Sequence, residues 1–223
     1  MTFIPGLLPE RYETRKFLSA AIEPMATYIV PEMIDHRAEL LPMGNQGSTS
    51  KCAAYGTTTI AEWWNWKRKG TTVQLDPNPL YDRAKQLDGE PNEPGTTVSA
   101  VLQAAQDLGY ISKLSNGSLR YVNADMVKRA MHLYGCLLAA FDITDKWSYA
   151  QLDGWIPEGG RTVGGHAVVL CGYNLRDTIP YYTIANSWGQ EHGWRGFNRM
   201  SEGMFRDQFR GAYGFETDEL PVI

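Results

Sequence analysis

The chain has 223 residues, 43% hydrophobic and 21% charged, enough apolar surface for one sizeable domain or two closely packed lobes and too much for a disordered chain. Its net charge of −4, with Lys67-Arg68-Lys69 the densest basic run, leaves no electrostatic footprint for nucleic acid. No apolar run reaches the roughly 18 residues a membrane span needs, so neither nucleic acid nor membrane is expected as a partner. The N-terminus lacks a charged segment ahead of an apolar run, and no signal peptide is expected. Three cysteines, Cys52, Cys136 and Cys171, are too few and too scattered for a disulfide framework. Cys136 and Cys171 lie in strand-like runs and could pair, but free buried thiols in a reducing, cytoplasmic or otherwise intracellular setting are the expectation. The sequon Asn116-Gly117-Ser118 is then a chance occurrence.

Taken in chain order, residues 1–44 carry five prolines and read as an extended arm with a short helix near 12–20. Residues 52–68 give the clearest helix, with Ile60, Trp63, Trp64 and Lys67 at three- and four-residue spacing and Gly70 as a C-cap. A second helix is expected over 78–87 with Pro79 at its start, and a third over 97–108, its face formed by Val98, Val101, Leu102 and Ala105. One more helix is expected at about 124–134. The apolar runs then shorten: 136–143, 166–173, 180–188 and 196–200 read as strands, and the glycine-rich stretch 153–165 as a loop. A helical first half and a sheet-forming second half define an α+β plan with a cleft between the halves.

Cys52 admits three readings: a small buried hydrophobe, a metal ligand or a nucleophile. Its place at the opening of a helix, where unpaired N–H groups and the macrodipole favour an anion, suits a reactive thiol if a base lies near. Of the four histidines, His36 and His132 read as surface or packing residues and His192 lies in a turn. His166 follows Gly164-Gly165 at the mouth of an apolar strand, where it can face a cleft or fill a core. Asn186 ends the next strand, a place more often taken by a turn former than by an orienting amide. Metal binding is the weaker reading, because no close Cys or His pair occurs.

Together, "NQGSTSKCAA", "GGHAVVLCGYN" and "IANSWGQEHGW", in that order, resemble the papain-like cysteine peptidase family. Gln46 stands six residues before Cys52, Gly165-His166-Ala167 leads to Gly172-Tyr173, and Asn186-Ser187-Trp188-Gly189 follows. "PEMIDHR" at 31–37 resembles the opening strand of the family, and the resemblance covers most of residues 30–215. It implies a two-lobed α+β fold. An N-terminal arm over 1–28 would precede a catalytic domain over 29–223, with a helical lobe at about 46–122 and an antiparallel β-sheet or barrel lobe at about 123–215. It implies a thiol peptidase needing no metal or organic cofactor. Cys52 would be the thiolate nucleophile and His166 its imidazolium partner. Asn186 would orient the imidazole, Trp188 would shield their hydrogen bond, and the Gln46 side chain with the Cys52 N–H would form the oxyanion hole. Gly47 would let the backbone approach the substrate. Gly95, Val98, Gly165 and residues near 204–209 would line the main side-chain pocket. A protein or peptide is the implied partner, and any proteinaceous inhibitor or regulator is left unidentified.

The sequence also departs from the family. Thr49 stands where a cysteine would bridge beside the nucleophile, Ala53 replaces an aromatic, and "EPNEPGTT" stands in place of a Cys-x-Gly-Gly segment. His192 replaces a second tryptophan, and about 28 residues before the opening strand are too few for a long inhibitory pro-domain. Lys51 would favour the thiolate, select acidic side chains in the cleft or simply be solvated. Three functions are therefore carried: a thiol peptidase of a bacterial or viral kind, an inactive papain-fold binding or structural protein, and a thiol amidase or transferase acting on cell-wall or isopeptide bonds.

Overall fold

The structure is a computed structural model that describes residues 5–9, 29–111 and 119–215, with the side chains of 119–121 left out. The helix expected near 12–20 and the 116–118 sequon lie outside these residues. After strand β1 (Met33–Asp35) come three helices, α1 (Cys52–Lys69), α2 (Pro77–Leu87) and α3 (Val98–Asp107). Their ends follow the local chemistry. Gly70 caps α1 in the left-handed conformation at φ 66°, a shape a Cβ would disfavour. Asp76 accepts from the Asn78 N–H at the start of α2, so Pro77 and not Pro79 opens that helix. The Thr97 hydroxyl accepts from the Ala100 N–H ahead of α3. No helix among the described residues is long and apolar enough to cross a membrane.

The second half contains β2 (Leu119–Val122), α4 (Val127–Tyr134), β3 (Leu137–Thr144), β4 (Thr162–Asn174), β5 (Tyr181–Ala185), β6 (Phe197–Ser201), α5 (Glu202–Gln208) and β7 (Phe209–Phe215). Every pairing is antiparallel, in the order β2-β7-β3-β4-β5-β6, with β1 added to β4. β4 is the spine: β3 pairs with its residues 162–170, β5 pairs with the opposite edge, and β1 takes over from β3 beyond Gly172. Residues 162–165, expected in a loop, belong to β4, so His166 lies inside a thirteen-residue strand and not at its mouth. The sequence reading also missed α5 and β7, whose short runs are broken by charged residues and glycine.

Two buried clusters flank the sheet. One joins α1, α2 and α3 to Leu138, Ala167, Val169 and Cys171 on one face of β3 and β4. The other packs α4 and α5 against Leu137, Phe141, Val168 and Leu170 on the other face. Strand alternation makes this division, since successive side chains point to opposite sides. Gly56 lets α1 approach the sheet: a Cβ there would meet Leu138 Cδ1 at 2.7 Å. Cys136 and Cys171 are both buried and free.

Candidate active site

Cys52 is the first residue of α1, and His166 lies on β4 opposite Phe141 of β3. The helix end and the strand meet directly, since the Ala167 N–H donates to Cys52 Sγ at 3.4 Å. Asn186 follows β5, and its Oδ1 lies 3.0 Å from His166 Nε2, which leaves the other ring nitrogen, Nδ1, without a hydrogen-bond partner among the described residues. The Asn186 amide group is itself fixed, because its Nδ2 donates to Asn198 Oδ1 of β6 at 3.0 Å. Trp188 stacks on the imidazole with centroids 5.0 Å apart, and Trp147 meets it edge-on at 6.0 Å.

Gln46 is brought to the same place by a backbone clasp. Its N–H donates to Ser187 O at 2.8 Å, Asn45 bridges Trp188, and the Gly189 N–H donates to Gly44 O at 3.0 Å. The Gln46 side chain accepts from Ser187 Oγ at 2.5 Å and gives one amide hydrogen to Thr49 O at 2.7 Å. Cys52, His166, Asn186, Gln46 and Trp188 are therefore brought together. Asn198, Trp147 and Ser187 join them. Ser187 sits inside the motif, but nothing local marks Asn198 or Trp147, whose indole donates to Gln208 Oε1 at 2.8 Å.

Residues 5–9 of the chain lie in the cleft. The Leu7 N–H donates to Gly165 O, the Leu8 N–H to Thr96 O, and the Thr96 N–H to Gly6 O, each at 3.0 Å. Leu7 thus pairs in parallel with Thr96 and antiparallel with Gly165. The Gly6 backbone also acts to lower the pKa of the Cys52 thiol. The fit is close. A Cβ on Gly6 would run into the Ser50 backbone, one on Gly95 into Gly6 O, and one on Gly165 into Leu7 O. Gly95, at φ 94°, is suited to glycine on backbone grounds too. Gly47 has a φ of 58°, which favours glycine, and open space where a Cβ would stand.

Burial works against the electrostatics that the helix end alone would set. Cys52, His166 and Asn186 are fully buried. Burial raises the Cys52 thiol above its ordinary pKa, against the hydrogen bonds from Ala167 and Gly6 that favour the thiolate. Burial also pulls His166 down to about 4, with the Asn186 bond acting in the opposite direction. Burial thus acts against the thiolate–imidazolium pair expected from the sequence at both groups. His192 packs edge-on against Trp188 at 4.9 Å and is likewise lowered to about 4 by burial.

Beside Leu7, Leu8 and Pro9 lies a cavity of about 250 Å³ lined by Val98, Ala140, Phe141, Gly165, Gly211 and Tyr213, with the Asp142–Arg210 ion pair in its wall. Of the residues expected to line the side-chain pocket, Val98 and Gly165 line this cavity and Gly95 lies against Gly6, whereas residues 204–209 are not in its lining. Met204 and Phe205 are buried in the second cluster, with Phe205 stacked on Tyr182 at 4.0 Å. The chain emerging from α5 reaches the cavity only at Arg210. Lys51 is turned to α2: its Nζ donates to Asn78 Oδ1 at 2.7 Å and lies 5.3 Å from the Tyr81 ring centre. Among the described residues no group of three His, Cys, Asp or Glu side chains could hold a metal ion.

A helix-borne thiol beside a strand-borne imidazole, next to a cleft that holds residues 5–9, defines a thiol–imidazole protein of two-cluster α+β architecture. The family description "Papain family cysteine protease" matches residues 96–217, more than half of the chain, which therefore belongs to the papain family. A viral cathepsin of Cydia pomonella granulosis virus is 26% identical over 199 residues, covering 80% of this chain and 59% of that protein. Cathepsin B-like cysteine proteinase 6 of Caenorhabditis elegans is 34% identical over 84 residues, covering 37% of this chain and 22% of that protein. The chain thus spans between about a fifth and three-fifths of these curated relatives. Among solved structures, xylellain, a cysteine protease from Xylella fastidiosa, superposes with a TM-score of 0.78 at 16% identity, covering 96% of both chains. A procathepsin B from Trypanosoma congolense superposes with a TM-score of 0.73 at 14% identity, covering 97% of this chain and 87% of the other. Both likenesses bear out the papain-like α+β fold.

Proposed function

We propose that the chain is a thiol peptidase that hydrolyses peptide bonds in a protein or peptide, and that residues 5–9 restrain it until they leave the cleft. The observation that carries the reading is the Asn186 bond to His166 Nε2, which leaves Nδ1 unpartnered among the described residues in the same buried site as the thiol. Once solvent or substrate replaces residues 5–9, the cost of charging the pair falls and the helix end favours the thiolate. Cys52 Sγ then attacks the peptide carbonyl carbon, its proton held on His166 Nδ1. The Cys52 N–H and the second amide hydrogen of Gln46 stabilise the oxyanion. His166 passes the proton to the departing amine as the C–N bond breaks, leaving a thioester. Water, deprotonated by the same imidazole, hydrolyses that thioester and restores the thiol. Asn186 holds the ring and Trp188 shields their bond. Membership of the family supports this assignment, and the three buried free thiols favour a reducing setting.

The test is hydrolysis of a peptide library, with Cys52→Ala and His166→Ala as controls. Each substitution is expected to lower kcat/KM by at least about a thousandfold, the scale seen when a nucleophile or its base is removed. Cys52 alkylation followed against pH supplies the second arm. A Cys52 that titrates near 8.5 after residues 5–9 are displaced, and titrates identically in His166→Ala, would refute the assignment and leave a papain-fold binding protein. Transfer of the acyl group to added amines in place of water would mark the transferase alternative.

A further inference from the structure

The loop 88–96, between α2 and α3, carries the cleft edge and holds two prolines and two glycines. Apart from the Thr96 bridge to Leu7 it has neither helix nor strand pairing, and it contains none of the chain's three cysteines. One side chain ties several of its groups together. Lys85, in the last turn of α2, directs its ammonium onto four oxygens: Asp88 Oδ2 at 2.7 Å, Glu90 O at 2.6 Å, Glu93 O at 2.9 Å and Gly95 O at 2.9 Å. The Asp88 side chain is fully buried, and its other oxygen accepts from the Glu90 N–H at 2.9 Å. Removing the ammonium would leave a buried carboxylate and three carbonyls without this shared partner, which a short loop cannot absorb in place. The last of those carbonyls, Gly95 O, is covalently next to Thr96, whose N–H and C=O pair with Gly6 and Leu8. The Gly95 N–H is held separately, donating to the Tyr81 hydroxyl of α2 at 3.1 Å.

We propose that Lys85 is a positioning residue that sets the Gly95–Thr96 edge in peptide-pairing geometry, and so sets how tightly the cleft grips an extended peptide. The inference rests on reading the cleft as a peptide site. The same edge serves residues 5–9 and an incoming substrate, so in the intact chain the two losses offset one another in the apparent KM. Two separate readouts are therefore needed.

In the full chain, Lys85→Met keeps the length of the side chain and removes its charge. Cys52 is expected to react with iodoacetamide about tenfold faster than in the parent, the scale of one lost charge-assisted hydrogen bond. Cys136 and Cys171, both buried far from the loop in sequence, report any general loosening and are expected to stay unlabelled. Lys85→Arg, which retains the cation, is expected to return the rate to within about threefold of the parent. In a Gly6→Ala background, where residues 5–9 no longer compete, Lys85→Met is expected to raise KM for a peptide about tenfold with kcat within about twofold. Unchanged Cys52 labelling in a folded Lys85→Met chain overturns the proposal. So does labelling of all three cysteines in parallel, which makes Lys85 a general support of the fold. The labelling arm needs no turnover, so a chain that hydrolyses nothing still decides the role of Lys85 while refuting the peptidase assignment.

Discussion

At the scale of single residues, the thiol is set by two opposed influences. The opening of α1 and the Ala167 N–H favour a sulfur anion, yet burial raises the thiol above its ordinary pKa. Gly6 is the point at which this balance can be tipped, because a methyl group there would meet the rigid Ser50 backbone and not a yielding side chain. Gly6→Ala is therefore expected to displace residues 5–9 and raise the rate of Cys52 alkylation at least about tenfold, a change of about 1.4 kcal/mol in the docked state. Labelling of Cys136 and Cys171 should stay flat, and a Cys52 rate equal to the parent's would show that the arm is not what covers the thiol. The sequence disclosed Gln46, Cys52, His166 and Asn186 because each stands in a short motif. It was silent on Asn198, Trp147 and Gly6, whose contacts with the site depend on chain segments far apart in sequence. It did not foresee that Lys51 bonds Asn78, because that partner lies 27 residues away on α2.

At the scale of elements, the packing of α1 against its neighbours yields two expectations. Glu62 on α1 accepts from the Leu75 N–H at 2.7 Å, and burial raises its carboxyl to about 7. An acid raised in the folded state binds more protons than the unfolded chain between about pH 4.5 and 7, so its share of stability falls as pH rises through that window. Glu62→Gln keeps the acceptor and removes the charge. Its stability relative to the parent should shift in its favour by about 2 kcal/mol between pH 5 and pH 8 in urea unfolding. A relative stability independent of pH would rule out a buried carboxyl here. Gly135, at φ 69° between α4 and β3, lies against the Trp63 ring of α1, whose indole donates to Glu39 Oε2 at 2.8 Å. Gly135→Ala should destabilise by about 2 kcal/mol or more, combining backbone strain with overpacking. An unchanged urea midpoint would count against that close fit. Helix limits were legible because Gly70 and the residues flanking α2 and α3 act within one turn. The start of β4 was not: Gly164 and Gly165 depress strand propensity, and they stand there because Pro5 and Leu7 lie against them.

For the whole molecule, the titration of the site is coupled to folding. His166 and His192 are both lowered to about 4 from an ordinary value near 6.5. Between those values the unfolded chain binds the more protons, so stability is lost as pH falls from about 6.5 toward 4. Glu62 opposes this over much of the same range, and two histidines outweigh one carboxyl. The net loss from pH 7 to pH 5 should be on the order of 1–2 kcal/mol, and Glu62→Gln should steepen it. Urea unfolding at the two pH values decides the point, and a chain more stable at pH 5 would show that the histidines are not held neutral. The α+β plan was legible from the change in apolar run length along the chain. The division into two clusters on opposite faces of β3 and β4 was not, since continuous apolar runs such as 167–171 hide which residue faces which side.

The Leu7–Thr96 and Leu7–Gly165 pairings have a kinetic consequence, because the peptide they hold is joined to the body that binds it. A tethered occupant competes at a fixed effective concentration, which reaches the millimolar range for short flexible links. Dilution cannot release it, and neither can a faster turnover step. A substrate engages only the fraction of molecules whose tether is undocked, so its apparent affinity is weakened by that fraction. Any agent that captures residues 5–9, or that severs them from residue 29 onward, would turn a first-order equilibrium into a dilutable one. Activity would then rise without a change in any group that touches the substrate.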